Sequence, residues 1–337
     1  EEKMQKVISF IIPSYNAEPY LDQCLKSFLH PDCMEQIEVL IVNDGSKDNS
    51  AQIIDEYAQK DERVVAIHQE NSGVCASRNN GLRNAHGEYI CLIDQDDYVF
   101  PDYISYLYTL IKENNADISL TPTARKINKD NKNNIEEEKE DYVEVITGEQ
   151  AAREMLCYNF IIAPWNKMIS RKLIEKNNIR FDERYYGGEG YLFSIDCYTK
   201  TDRVALGHRK VYNYRCDNPN SGMTKFKMEM VESSINSQQT IKEHALDAYP
   251  KLSAECKYSN WHTYCDCYNF FVGCNVIEQY KEKYKEIKKV CKKDALCALK
   301  VNIPKKEKIK AILYFISPYL TAKFINHFRV RRFTKEQ

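Results

Sequence analysis

At 337 residues with 43% hydrophobic content, the chain is long enough for one large α/β domain and a smaller appendage around a buried core. Its formal net charge of −1 excludes a whole-chain nucleic-acid binder, because neutralising phosphates requires a strong positive excess. Its 13 cysteines are odd in number and irregularly spaced, and nothing at the N-terminus reads as a secretory apolar region, so buried thiols in a reducing cytoplasm are expected rather than a disulfide framework.

Up to Phe100, short β-rich runs alternate with amphipathic stretches, the pattern of a mainly parallel sheet covered by crossover helices. Strands are expected at Val7 to Ile12, Ile37 to Val42, Val64 to Ile67 and Glu88 to Ile93. Between them, helices are expected at Pro19 to Leu29, Ser50 to Ala58 and Val74 to Ala85, the first with Tyr20, Leu21, Cys24, Leu25 and Phe28 on one face. From Arg125 to Glu144 the chain is highly charged, with Glu136, Glu137, Glu138, Glu140 and Asp141 close together, and reads as a solvated excursion. Structure resumes at Thr147-Gly148-Glu149-Gln150, a cap-like helix start, and beyond Lys225 the chain reads as helical. His262, Cys265, Cys267 and Cys274 lack paired Cys-x-x-Cys spacing and read as packed thiols in a helix rather than zinc ligands. A run of uninterrupted apolar residues long enough for a membrane-spanning helix is missing.

In an open parallel sheet ligands sit beyond the carboxyl ends of the strands, where Ser14-Tyr15-Asn16, Asn43-Asp44-Gly45-Ser46 and Asp94-Gln95-Asp96-Asp97 fall. Three carboxylates within four residues repel one another unless a cation neutralises them, and carboxylate oxygens suit a hard ion such as Mg2+ or Mn2+. The plainer account is that Asp96 or Asp97 caps a helix or forms a turn.

Further segments decide between these accounts. Ile11 to Asn16, Val42 to Asp48, Asn71-Ser72-Gly73-Val74-Cys75-Ala76-Ser77-Arg78-Asn79-Asn80-Gly81 and Tyr89 to Asp97, in that order, closely resemble the family-2 glycosyltransferases of the GT-A fold. The likeness continues less strongly through Pro164-Trp165-Asn166-Lys167, Arg180-Phe181-Asp182-Glu183 and Tyr212-Asn213-Tyr214-Arg215, with Ser221 and Thr224. The resemblance implies that Pro13, Tyr15, Asp44 and Arg78 contact nucleobase and ribose, while Asp94 and Asp96 bind ribose, diphosphate and metal. Side-chain chemistry agrees: a carboxylate at Asp44 can accept the imide N–H of uracil, Tyr15 offers a flat face, and Arg78 is a fixed cation. The resemblance also implies single-displacement transfer that inverts the anomeric carbon.

One position departs from the pattern. The family carries an adjacent Glu-Asp pair with the Asp as general base, whereas this chain reads Gly188-Glu189-Gly190, placing Gly190 at the Asp position. Glu189 is the preferred base, with Asp196 as substitute or a catalytically silent sugar-nucleotide-binding protein as alternatives. The structural reading of the same residue is that Glu189 only hydrogen-bonds acceptor hydroxyls or caps a helix beginning at Tyr191. Trp165 and Lys167 are candidates for an acceptor-facing platform, with core packing the competing account. Arg215, Ser221 and Thr224 are candidates for a lid over the diphosphate, against an ordinary surface loop.

Residues 302–337 hold nine Lys or Arg against two Glu, a surplus of seven positive charges. Ile309, Ile312, Leu313, Ile316, Leu320 and Phe324 recur there at helical spacing, broken at Pro318. Such a stripe suits an interfacial helix on an anionic leaflet, or else packs on the catalytic domain.

The expectation is therefore a GT-A-type domain over residues 1–222 and a helical region over 223–337. Its expected activity is transfer from a UDP-sugar donor to a glycan or lipid-linked glycan acceptor, with Mn2+ or Mg2+, in the cytoplasm and possible anionic-membrane contact through 305–332. A nicotinamide-dependent oxidoreductase is excluded, because no Gly-x-Gly-x-x-Gly turn follows the first strand.

Overall fold

Strand β1 (Ile8–Ser14) has every residue buried, as does β2 (Ile37–Asp44), which is what strands covered on both faces require. A computed structural model describes residues 7–29, 36–128, 141–219, 221 and 225–328. Two compact units divide the chain: Glu1–Ala151, Ile161–Glu183 and Glu189–Arg215 form the first, and Ala152–Phe160, Arg184–Gly188 and Cys216–Gln337 the second.

In the first unit α1 (Glu18–Lys26), α2 (Ser50–Lys60) and α3 (Gly73–Asn84) alternate with β1, β2, β3 (Val64–Gln69) and β4 (Tyr89–Leu92). These seven elements stand where hydrophobic periodicity puts them, shifted by a few residues at their ends. The short strand β5 (Tyr98–Val99), helix α4 (Tyr103–Glu113), and strands β6 (Ile118–Leu120), β7 (Arg125–Ile127) and β8 (Val143–Ile146) follow. Helix α5 (Gly148–Leu156), strand β9 (Lys167–Ser170), helices α6 (Arg171–Lys176) and α7 (Glu189–Tyr198), and strands β10 (Val204–Gly207) and β11 (Tyr212–Arg215) come next.

The main sheet runs β3-β2-β1-β4-β9-β6-β10-β8, and β5-β11-β7 form a second, three-stranded sheet. Pairings among β3, β2, β1 and β4 are parallel, so their carboxyl ends share one rim. Strand β9 enters antiparallel between β4 and β6, a placement that local periodicity cannot give. The charged excursion is structured at both ends, correcting the sequence reading: β7 pairs with β11 and β8 with β10, while residues 129–140 lie outside the described residues. At α5 the expected cap forms reciprocally. Gln150 N–H donates to Thr147 Oγ1 at 3.2 Å and Thr147 N–H donates to Gln150 Oε1 at 2.9 Å.

The second unit holds α8 (Met228–Ala248), α9 (Ser253–Cys274), α10 (Lys281–Lys293), α11 (Lys305–Ile316) and α12 (Pro318–His327). Its core gathers Tyr258, Trp261, Tyr268 and Phe271 of α9 with Ile287 and Cys291 of α10. Trp261 Nε1 donates to the Cys291 carbonyl at 2.9 Å, so the indole is buried without an orphan donor. Cys265, Cys267 and Cys274 pack in this core, and all twelve cysteines among the described residues are buried and outside any disulfide. Pro318 does break the C-terminal stretch: α11 stops at Ile316, and Ser317 Oγ accepts from Leu320 N–H at the start of α12. Among the described residues no helix is long and apolar enough to cross a membrane.

Candidate active site

The three strand-end segments are stitched together by side chains that accept from neighbouring backbones. Gln95 grips Tyr15 twice, accepting from its N–H at 2.7 Å and donating to its carbonyl at 3.2 Å. Asn16 takes a left-handed conformation (φ 49°), and its Oδ1 accepts from Lys47 N–H at 2.8 Å while its own N–H reaches Ser46 Oγ at 3.0 Å. Pro13 lies two residues past Ile11, the last β1 residue paired with β4, where a missing N–H interrupts no rung of that ladder. Tyr15 is 41% exposed, leaving its ring open for stacking.

Asp44 is buried and ties the loop before α3 to β2. Its Oδ1 accepts from Gln69 Nε2 and from Ser72 N–H, both at 2.8 Å, and its Oδ2 accepts from Gly73 N–H at 2.9 Å. Oδ2, with one such bond, retains acceptor capacity for an imide N–H. Next to it Gly45 holds φ 69°, and a Cβ there would stand 2.9 Å from Asn71 N, so glycine is required.

Arg78 and Asn79 on α3 explain two further motif segments. Asn79 Nδ2 donates to the Phe181 carbonyl at 2.9 Å and its Oδ1 accepts from Phe181 N–H at 2.9 Å, fixing the Arg180 to Glu183 segment. Arg78 is 4% exposed, with its guanidinium 5.1 Å from the Phe181 ring centre. Its Nη2 donates to Asp94 Oδ1 and its Nη1 to Glu189 Oε1, both at 2.9 Å. Burial alone would pull the guanidinium pKa down, but the charges of Asp94 and Glu189 outweigh it and hold the pKa above the ordinary arginine value. Arg78 Nε and Ser14 Oγ are buried without a hydrogen-bond partner, and both groups belong to this rim.

Within the acidic motif the three carboxylates take different surroundings. Asp97 turns inward, accepting from Tyr212 Oη at 2.9 Å and from Arg215 N–H at 2.7 Å. Burial, then the like charges of Asp96 and Asp94, push its carboxyl well above the usual carboxylate range. Tyr212 Oη also accepts from Asp94 N–H at 3.3 Å, so one phenol pins both ends of the turn. Arg215, a lid candidate, is fixed beside that turn: Nε donates to the Asp96 carbonyl at 2.7 Å, and Nη2 to Gln23 Oε1 at 2.6 Å. Its guanidinium also lies 5.1 Å from the Tyr20 ring centre. Ser221 N–H donates to the Asn218 carbonyl in a turn, and Thr224 lies outside the described residues.

Among the described residues no three His, Cys, Asp or Glu side chains form a self-contained metal site. Asp94 and Asp96 nevertheless offer an oxygen-only set, and after burial their like charges are what raise Asp97. Such a pair fits Mg2+ or Mn2+ when substrate phosphates complete the ligands.

Glu189 is the first residue of α7, at 17% side-chain exposure. Asp196, the other candidate base, lies seven residues on, about 10 Å along the same helix axis. Gly190 is closely packed: a Cβ there would stand 2.6 Å from Pro164 Cδ. The acceptor platform is corrected by burial. Trp165 is 3% exposed and stacks on Tyr212 with ring centres 4.1 Å apart, and Lys167 is fully buried. Lys167 Nζ donates to the Ala163 carbonyl at 2.7 Å and to Asn166 Oδ1 at 2.6 Å, and its backbone opens β9 in register with Leu120 of β6. Sequence reasoning passed over Gln95 and Tyr212 as site residues; Gln95 works through Tyr15 and Tyr212 through Asp94 and Asp97, tertiary partners that leave no spacing signal.

Comparison with known proteins identifies the family and the fold. The description "Glycosyl transferase family 2" matches residues 9–177, just over half of the 337. The uncharacterized glycosyltransferase EpsJ of Bacillus subtilis is 32% identical over 65% of this chain and 63% of its own length. Glycosyltransferase GlyA of Streptococcus pneumoniae is 34% identical over 62% of this chain and 30% of its own length. The chain thus spans less than two thirds of these relatives. Among solved structures, Staphylococcus aureus TarS 1-349 in complex with UDP-GlcNAc shares the fold with a TM-score of 0.63 at 19% identity, covering 96% of this chain and 93% of that one. The mixed α/β first unit is accordingly of GT-A type, and the chain belongs to glycosyl transferase family 2.

Proposed function

We propose that this chain transfers a sugar from a UDP-sugar to a glycan acceptor, carried on a lipid in surface-polysaccharide synthesis, with inversion at the anomeric carbon. The observation that carries this reading is the double grip of Arg78, which holds the acid of the donor motif, Asp94, and the candidate base, Glu189, by one side chain. Tyr15 stacks on the base and Asp44 accepts its imide N–H; UDP is favoured because the TarS relative was solved with UDP-GlcNAc.

Asp96, with Asp94, would hold Mn2+ or Mg2+, which when bound supplies Lewis-acid stabilisation of the leaving diphosphate. Arg215, tethered at Asp96, adds a fixed cation at the same end of the site. The acceptor hydroxyl oxygen bonds to the anomeric carbon as the bond from that carbon to the diphosphate oxygen breaks. Its proton passes to Glu189 Oε2, the oxygen that Arg78 leaves open. Arg78 keeps that carboxylate oriented.

Gly190 against Pro164 supports a second reading, a protein that binds sugar nucleotides without turnover. A panel of UDP-sugars incubated with the protein and Mn2+, with and without chelator, separates the two. Chelator-sensitive release of UDP, lost in Asp96→Ala, supports the transferase. Chelator-sensitive binding with no release from any donor supports the silent binder, and binding indifferent to chelator removes the metal from the account.

A further inference from the structure

We propose that the outward faces of α11 and α12 form a docking surface for an anionic lipid bilayer. The two helices bury small or polar-tipped residues and expose large apolar ones. Ala311 and Tyr314 of α11 and Thr321 and Ala322 of α12 face the core. By contrast, Ile309 is 59% exposed, Ile316 64%, Leu320 64%, Phe324 63% and Phe328 68%. On α11 the exposed positions 309, 312, 313 and 316 follow the i, i+3, i+4, i+7 spacing of a single face. On α12 the positions 320, 323, 324 and 327 do the same, and Phe324 and Phe328 meet edge to face at 5.0 Å. A soluble helix that turns its larger apolar side outward leaves hydrophobic surface in water without compensation, so the patch calls for an occupant.

Charge selects the occupant. Lys305 and Lys306 are exposed at the start of α11, and Lys323 is exposed within the apolar face of α12. Residues 302–337 as a whole carry nine cations against two carboxylates. A second copy of this chain laid face to face on the patch would bring two such surpluses together, which disfavours self-association. An anionic leaflet reverses that sign: the lysines meet lipid phosphates, while Ile, Leu and Phe enter the headgroup and acyl boundary to a depth of about 5–10 Å. Neither helix is long enough to span, so attachment is in the plane of the surface. This inference stands on the second unit alone and does not depend on the sugar-transfer reading.

The test is flotation of the full chain with vesicles of phosphatidylcholine alone or phosphatidylcholine with phosphatidylglycerol, alongside the triple variant Ile316→Glu, Leu320→Glu, Phe324→Glu. The positions are exposed, so the variant should keep the melting profile and UDP-sugar behaviour of the wild type. The expected result is flotation of the wild type with phosphatidylglycerol vesicles, weakened by salt, and a roughly tenfold loss of partitioning in the variant. Wild type that stays at the bottom of the gradient with anionic vesicles overturns the proposal. So does a concentration-dependent dimer of the wild type that the triple variant abolishes, which would assign the face to a second copy. Equal flotation of variant and wild type also overturns it, because the apolar face would then contribute nothing.

Discussion

Arg78 and Glu189, 111 residues apart in sequence, meet at 2.9 Å through Nη1 and Oε1, while the second terminal nitrogen of the same guanidinium holds Asp94 at 2.9 Å. One buried cation therefore sets the spacing between the acidic motif after β4 and the first residue of α7. Its planar fork matters, since a lysine ammonium is a point charge and cannot face two carboxylates from opposite edges in the same way.

Arg78→Lys should keep the fold and lower kcat/KM for UDP-sugar by roughly 10- to 100-fold, as misplacing Glu189 does not require unfolding. Arg78→Ala removes the partner of two carboxylates and should cost about 3–5 kcal/mol of stability, read from urea melts. A melt of Arg78→Ala that overlays the wild type would show that the two ion pairs do not hold the site.

Tyr212→Phe keeps the stack on Trp165 but deletes the hydroxyl that donates to Asp97 and accepts from Asp94 N–H. The expected cost is about 1–3 kcal/mol, because Asp97 and the Asp94 amide lose a buried partner. Titration calorimetry should show weaker Mn2+-dependent UDP binding than in the wild type. Unchanged stability and binding would mean that the turn is pinned elsewhere.

Gly190→Ala gives a prediction whose sign is diagnostic. Inside an exposed helix the change from Gly to Ala stabilises by roughly 1 kcal/mol. Here the new Cβ meets Pro164 Cδ at 2.6 Å, so a loss of about 1–3 kcal/mol is expected instead. For the same reason Gly190→Asp should not raise turnover, although it completes the Glu-Asp pair that the family resemblance implies. Thermal melts and UDP-release rates of the two variants check both statements.

Burial pulls the Lys167 ammonium pKa down to about 7 from 10.5. Above pH 7 the unfolded lysine still binds its proton while the folded one has shed it, so stability should rise with pH, by up to roughly 1.4 kcal/mol per pH unit from this group. Below pH 7 both states are protonated and the cost of burying the charge is fully present. The clean window runs from pH 7 to about 9, where unfolded thiols begin to ionise while burial holds those of the folded chain above that value. Lys167→Met should flatten the slope in that window, as measured by urea midpoints; an unchanged slope would remove Lys167 as its source.

Much of the first unit is legible in the sequence. The alternation from Val7 to Ile93 fixes β1 to β4 and three helices, because each strand there is a short apolar run and each helix shows one apolar face. The rim motifs could be placed because parallel strands bring their carboxyl ends together. Trp165 and Lys167 are harder: a Trp-Asn-Lys run looks polar and surface-bound, and only the stack of Trp165 on Tyr212 and the pairing of Lys167 with β6 enclose it. Gln95 and Tyr212 serve backbones far away in sequence, which no spacing reveals. In α11 the periodicity was correct, yet periodicity marks a face without saying which way it points; Ala311 and Tyr314 turned inward and the Ile-Leu stripe outward.

Glu189→Gln, assayed side by side for UDP-sugar turnover and for UDP affinity, tests the central claim most directly. The amide retains an oxygen that can accept from Arg78 Nη1 but cannot take a proton from the acceptor. Turnover should fall by about 100- to 10,000-fold while UDP affinity stays unchanged. Turnover equal to that of the wild type, or a wild type that releases no UDP from any donor, would contradict it.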